Sequence, residues 1–307
     1  MQQRARKATI GAGVGVVLLI ALNYAAFHVA RLERLDADIF NGFGGLRARP
    51  HFSNVATWTA GLCDMPTYAF LCIVPLAIAL YRRRTDIAVT VVAILLGANL
   101  TTEWLKQLLH QVRPLYLIHG AAPGAGSWPS GHATASMSLA LCVVLAAAPR
   151  WRIRAAVLGA AFALGVTYSF LTLGWHYPSD AVAGLLVATT WTFLGVAAHS
   201  HWQRRRPVRA ELDGGRLDSA LALAPVAVGL LAGLVAVIAV VVTHLPQVAP
   251  YARSHGPFIV GCAAIGTLAL TLAGSLVIVL RRSRAQPFSG SARAATAAPR
   301  PEGSPRD

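Results

Sequence analysis

Charge is scarce in this 307-residue chain. Asp, Glu, Lys and Arg together make up 13% of it, about half the ~25% of soluble globular domains. Hydrophobic residues fill 55% and mean hydropathy is +0.55, too little polar surface to cover a water-soluble fold of this length. Acidic residues are scarcer than basic ones, 12 against 27, for a net charge of +15. Lysine is nearly missing: Lys7 and Lys106 are the only two. Of four cysteines, Cys72, Cys142 and Cys262 sit inside apolar runs and Cys63 near the start of one. None has CxxC or CxxH spacing, which argues against a disulfide framework and a thiolate metal site and leaves small buried apolar residues. The composition also excludes a disordered or collagen-like chain. What remains is an integral membrane protein. Its arginines lie in short clusters between apolar runs rather than on a soluble basic module, so no nucleic-acid partner is expected.

Eight apolar segments are present, each near the ~20 residues a helix needs to cross ~30 Å of hydrocarbon. They run approximately Ala8–Ala30, Trp58–Tyr81, Ile87–Leu109, Ala133–Ala148, Ala155–Trp175, Ala181–Ala198, Ser219–Thr243 and Pro257–Leu280. Backbone polar groups in lipid must be satisfied within the segment, so the expected fold class is all-α, a polytopic helix bundle. The first run has 23 uncharged residues, longer than the ~7–15 of a signal-peptide core, and reads as an uncleaved helix. The expected division is a six-helix membrane core over 1–200, a basic linker over 201–218, two further spans over 219–281 and a disordered tail over 282–307. One alternate set of connections holds Arg4, Arg6 and Lys7; Arg82–Arg84; Arg150, Arg152 and Arg154; Arg204–Arg206, Arg209 and Arg216; and Arg281, Arg282 and Arg284. Those seventeen cations face seven in the other set (Arg31, Arg34, Arg47, Arg49, Lys106, Arg113, Arg253). Basic loops stay cytoplasmic, which predicts the cytoplasmic membrane with both termini inside and the sparse set outside.

Ionisable residues beside spans are costly and mark candidate sites. Lys106 and Arg113 are seven apart, so on a continuous helix both project from one face; Pro114 then ends that helix. Two cations there suit a tetrahedral anion, or else they snorkel to the interface. Ser130-Gly131 opens the fourth segment, where free N–H groups, a hydroxyl and the helix dipole suit an anion. The plainer reading is a helix cap. His132 follows, a group that can carry a proton near neutral pH. His176 and Asp180 are one helical turn apart, which allows a carboxylate-steadied imidazole; an Asp cap beside an interfacial His is the alternative. All six fall on the predicted outward side, at three helix ends. Together they make the parts list for phosphoryl transfer through a phosphohistidine.

These stretches resemble the type 2 phosphatidic acid phosphatase (lipid phosphate phosphatase) superfamily. That family shows Lys, six residues, Arg-Pro; then Pro-Ser-Gly-His; then Ser-Arg, five residues, His, three residues, Asp. Lys106 to Arg113-Pro114 fits the first motif, Pro129-Ser130-Gly131-His132 the second, and His176 to Asp180 the end of the third. The likeness covers roughly residues 58–198, with the first segment completing a six-helix core. It implies that His176 is the nucleophile, Asp180 its orienting carboxylate and His132 the proton donor to the leaving oxygen. Lys106, Arg113, Ser130 and the Gly131 N–H would hold the phosphate oxygens. It implies no metal and no cofactor, a membrane lipid phosphate as substrate and a site on the extracytoplasmic side.

One position departs. Six residues before His176 the family places an Arg, and this chain has Phe170. Arg47, Arg49 and Arg253 lie on the same predicted side and are the candidate replacements. Glu103 either supports Lys106 or partners Asn99 on the same face. Asp64, near the outer end of the second segment, is a weaker candidate for lining the site. The outward connection from Arg31 to Val55, with Phe40, Phe43 and Phe52, reads as an interfacial segment over the entrance or as a solvated loop. The leading expectation is a lipid phosphate or diphosphate phosphatase. A non-catalytic lipid-phosphate binder and a lipid phosphotransferase are its alternatives. A transporter is disfavoured, because no internal repeat or mid-membrane helix break is evident.

Overall fold

The structure is a computed structural model and describes residues 2–113, 117–118, 123–204, 250 and 253–281. The seventh predicted segment, nearly all of the linker and the C-terminal tail lie outside the described residues. Within them the chain is helical: α1 (Gln2–His28), α2 (Ala30–Gly42), α3 (Gly44–Arg47), α4 (Pro50–Ala60), α5 (Thr67–Leu71), α6 (Ile73–Tyr81), α7 (Thr85–Leu109), α8 (Gly131–Ala146), α9 (Arg152–Leu173), α10 (Pro178–Arg204) and α11 (Gly256–Leu280). Four of these (α1, α7, α10 and α11), together with the helical stretch Pro149–Leu173, are long and apolar enough to cross a membrane. This is a multi-pass membrane protein.

The second predicted span is not one helix. The stretches Pro50–Cys63 and Thr67–Tyr81 meet at a 59° bend, and counting the pair as one crossing gives a sixth. The cause lies in Asp64-Met65-Pro66: Asp64 turns extended (ψ 151°), and Pro66 has no N–H to continue a helix. The fourth predicted span has the expected length, which is short of the ~30 Å of hydrocarbon. α8 has 16 residues, about 24 Å of rise. It packs against α7, α9 and α10 and is buried along nearly its whole length, so the protein around it, rather than lipid, sets its length.

α8 is the axis of the bundle. α10 packs on it and on α7, α1 lies along α10, α4 covers α9, and α11 packs on α9 and α2. The face of α1 that turns inward is a stripe of small residues, Ala5, Ala8, Ala12 and Gly15, at alternating three- and four-residue spacing. Small residues let helices approach closely where no hydrophobic force separates protein from lipid. At the predicted cytoplasmic end the arginines cap helices. Arg82 donates to the Ala146 carbonyl at 2.7 Å and Arg4 to the Leu280 carbonyl at 2.8 Å, two of the acceptors that α8 and α11 leave unpaired at their C-termini.

The Arg31–Val55 connection is helical rather than a loop: it is α2, α3 and the start of α4, with Phe40 and Phe43 turned inward. Phe40 and Phe43 are buried, Phe40 against Tyr177 and Phe43 edge-on to Phe258.

Candidate active site

The site forms where α9 gives way to α10. Gly174 caps α9 in the left-handed region (φ +74°), where a Cβ is strained; a methyl group there would also strike the Arg47 guanidinium. The chain reverses through Trp175, His176 and Tyr177, and Pro178 opens α10, a position where its missing N–H costs nothing. His176 Nδ1 lies 3.0 Å from the Ser127 carbonyl oxygen and 3.7 Å from Asp180 Oδ2. A carbonyl can only accept, so Nδ1 carries the hydrogen and Nε2 presents a lone pair. Asp180 is fully buried. Its oxygens accept from the Tyr177 N–H and from Arg113, each at 3.0 Å. The imidazole therefore has a backbone oxygen as its nearest partner, with the expected carboxylate just behind.

Ser130 is the N-cap of α8. Its hydroxyl oxygen accepts from the Ala133 N–H at 3.3 Å and is buried, and its own N–H donates to the Asp180 carbonyl at 2.9 Å. The cap reading of Ser130 thus describes the hydroxyl as it stands. α8 and α10 touch at this level because Gly184 has no side chain: a Cβ there would come within 2.5 Å of the Ser130 carbonyl oxygen. Lys106 approaches from α7. Its Nζ donates to Glu103 at 2.7 Å and would stand 3.2 Å from a Cβ on Gly131, which puts an ammonium beside the opening turn of α8. Glu103 is therefore the partner of Lys106, while Asn99 donates instead to Tyr68 and to the Leu95 carbonyl.

His132 and His176 face each other with ring centroids 6.2 Å apart. Phe170 is fully buried against both, 5.2 Å from His176 edge-on and 6.0 Å from His132. Where the family pattern has a cation, this chain has an apolar ring packed beside both imidazoles. Of the three candidate replacements, Arg47 is the one at this level: its Nε donates to the Thr172 carbonyl at 3.0 Å, at the end of α9. Arg49 and Arg253 are exposed.

Arg113 departs most from expectation. α7 ends at Leu109 with His110 left-handed (φ 34°), so Lys106 and Arg113 do not share a helical face. Arg113 instead turns inward and is 7% exposed. Its guanidinium pairs with Asp36, Asp180 and Ser179, with Phe27 and Tyr177 rings 4.4 and 4.3 Å from its central carbon. Charge can be buried there because two carboxylates and two aromatic faces replace its water. Its Nε is buried without a hydrogen-bond partner among the described residues. Asp36, on the inner face of α2, has no counterpart in the predicted site. Burial pushes its carboxyl above the usual range, while Arg113 and Ser179 oppose the shift. Burial also pushes the Tyr177 phenol up to about 12. Among the described residues no group of three or more His, Cys, Asp or Glu is placed to hold a metal ion.

A helical membrane bundle with two opposed imidazoles, a lysine at a helix N-terminus and a buried Arg–Asp pair defines the class. Residues 87–206 match the PAP2 superfamily. An undecaprenyl-diphosphatase from Sulfolobus acidocaldarius is 30% identical over 126 residues, 39% of this chain and 59% of that protein's own length. A lipid A 4'-phosphatase from Bacteroides thetaiotaomicron is 27% identical over 183 residues, 54% of this chain and 78% of that protein. In fold, the chain is similar to the crystal structure of a transmembrane PAP2-type phosphatidylglycerolphosphate phosphatase from Bacillus subtilis. The TM-score is 0.52 at 20% identity, covering 64% of this chain and 98% of that one.

Proposed function

We propose that this protein is a lipid phosphate phosphatase of the cytoplasmic membrane, acting on a lipid monophosphate or diphosphate at the extracytoplasmic face. The observation that carries this reading is the His176 imidazole, held through Nδ1 on Ser127, with a second imidazole 6.2 Å away, centroid to centroid. In the first step the Nε2 lone pair forms an N–P bond. The P–O bond to the lipid breaks, its electron pair stays on the leaving oxygen, and His132 gives that oxygen a proton. Water then attacks phosphorus and returns a proton to His132, and the N–P pair goes back to Nε2. Lys106 and the N–H groups opening α8 hold the non-bridging oxygens. Arg113 serves the site through Asp180, which it neutralises and fixes. The names of the relatives, which include an undecaprenyl-diphosphatase and a lipid A 4'-phosphatase, support the substrate class. The asymmetry of basic loops supports the sidedness.

Phe170 favours one second reading, a binder that keeps the fold without turnover. Phosphate release from polyprenyl diphosphate, phosphatidate and phosphatidylglycerophosphate in detergent micelles separates the two. The expected result is release that persists in EDTA, with His176→Ala lowering kcat on the order of 10⁴-fold or more. No release from any of the three by the wild-type protein would end the phosphatase reading.

A further inference from the structure

One carboxylate beside the site belongs to neither the Lys106–Glu103 pair nor the Arg113–Asp36–Asp180 group. Asp64 stands at the break in the second span, directly after the short turn Gly61–Cys63. Its backbone is held on both sides: its N–H donates to the Gly61 carbonyl and its carbonyl accepts from Tyr68 at 2.9 Å. Its Oδ1 lies 2.9 Å from His132 Nε2. Burial disfavours a charged His132 ring and holds its pKa below the usual imidazole range; Asp64 opposes that shift, and Lys106 and His176 add to it. Lys106 comes from α7 and His176 from the α9–α10 turn; Phe170 and Trp175 press neutral rings on it at 6.0 and 5.4 Å. The remaining carboxylate nearby, Glu103, is bonded to Lys106.

The geometry points to Asp64 as a positioning residue that favours the charged form of His132 and orients the ring to deliver its proton to the leaving oxygen. This rests on the phosphatase reading above. The two imidazoles then divide their roles by their partners. His176 faces a carbonyl that can only accept, which puts a hydrogen on Nδ1 and leaves Nε2 for the substrate. His132 faces a full carboxylate charge, which favours the imidazolium. As the His176–phosphorus bond forms and the ester bond breaks, the His132 proton moves to the departing oxygen. No proton passes to Asp64 in this step. Water restores the proton in the second step. The bend at Pro66 is thus functional: an unbroken helix through 58–81 would carry residue 64 on a helical path instead of the extended turn that meets His132.

Asp64→Asn keeps the shape and a hydrogen bond and removes only the charge. The test is kcat against pH for the best substrate of the panel. An acid must be protonated to act, so activity falls as pH rises through the pKa of His132. Loss of Asp64 should move that alkaline limb down by about one pH unit, roughly a tenfold loss of kcat above it, with KM changed less than about twofold. Asp64→Glu should restore most of the limb. A titration of the ¹⁵N-labelled His132 ring, assigned with His132→Gln, should shift in the same direction and needs no turnover. An alkaline limb and a ring titration that both stay in place in Asp64→Asn overturn the inference. Wild-type protein that releases no phosphate overturns the phosphatase reading instead, and the ring titration still decides whether Asp64 controls His132. A variant that does not fold is replaced by Asp64→Ser, read in the same two ways.

Discussion

At the predicted cytoplasmic end of the α7–α10 pair, Asp86 accepts from Arg84 at 3.1 Å and from Gln203 at 3.1 Å. His199 sits between them, with Nε2 3.5 Å from Asp86 and Nδ1 3.4 Å from Thr90. At the opposite end the same two helices contribute Lys106 and Asp180, and again a carboxylate, a cation and an imidazole lie together. The ingredients match but the wiring does not. Both ring nitrogens of His199 have a polar neighbour. His176 commits only Nδ1; no group among the described residues bonds its Nε2. The second difference is in the carboxylates. Asp180 is fully buried, while the Asp86 side chain is 36% exposed and loses less by standing alone. A polar cluster becomes a site when one atom is left uncommitted by neighbours that cannot move, and only the Asp180 end meets that condition.

The sharpest way to break the comparison is Arg113→Met. It strands Asp36 and Asp180 in the interior, and removing one member of a buried pair costs about 3–5 kcal/mol. Thermal unfolding in detergent should show that loss, whereas Asp86→Asn at the other end should stay within about 1 kcal/mol. A midpoint unchanged in Arg113→Met would mean that the buried pair organises nothing. Next comes Gly184→Ala. Its methyl meets a backbone oxygen that cannot yield, so about 1–3 kcal/mol of overpacking is expected, together with displacement of Ser130 to His132 and a fall in kcat. Retention of wild-type kcat would show that the α8–α10 approach does not hold the site. The smallest effect is expected from His199→Gln. Phosphate release should stay within about threefold of wild type, since no atom there is available to react. A loss as deep as that of His176→Ala would erase the distinction between the ends.

Much of the scaffold was legible beforehand. Five of the predicted spans correspond to long helices, because lipid leaves a backbone no alternative to pairing within its own segment. The residues of the three motifs do meet at one end of the bundle. Three features were not legible, each for a definite reason. Pro66 sits in a run whose average hydropathy hides a helix breaker, so Asp64 was a candidate for lining the site without its contact to His132 being visible. Asp36 lies on α2, where Leu32 and Leu35 are exposed and a carboxylate faces inward, the reverse of the usual pattern. Arg113 left its expected face because His110, not Pro114, stops α7, and nothing local in the sequence requires a left-handed histidine.

Composition and the order of residues along the chain settled the solvent, the secondary structure and the chemical types available at one end of the bundle, since these follow from transfer free energies and from backbone hydrogen bonding within each segment. Which carboxylate meets which imidazole was decided by the packing. Asp64 reached His132, and Asp180 went to Arg113 and Tyr177, through the bend after Cys63, the early end of α7 and the close crossing at Gly184. Contacts of 3 Å depend on where helices stop and how they cross, and those are set by side chains far apart in the chain that become neighbours only when the bundle closes.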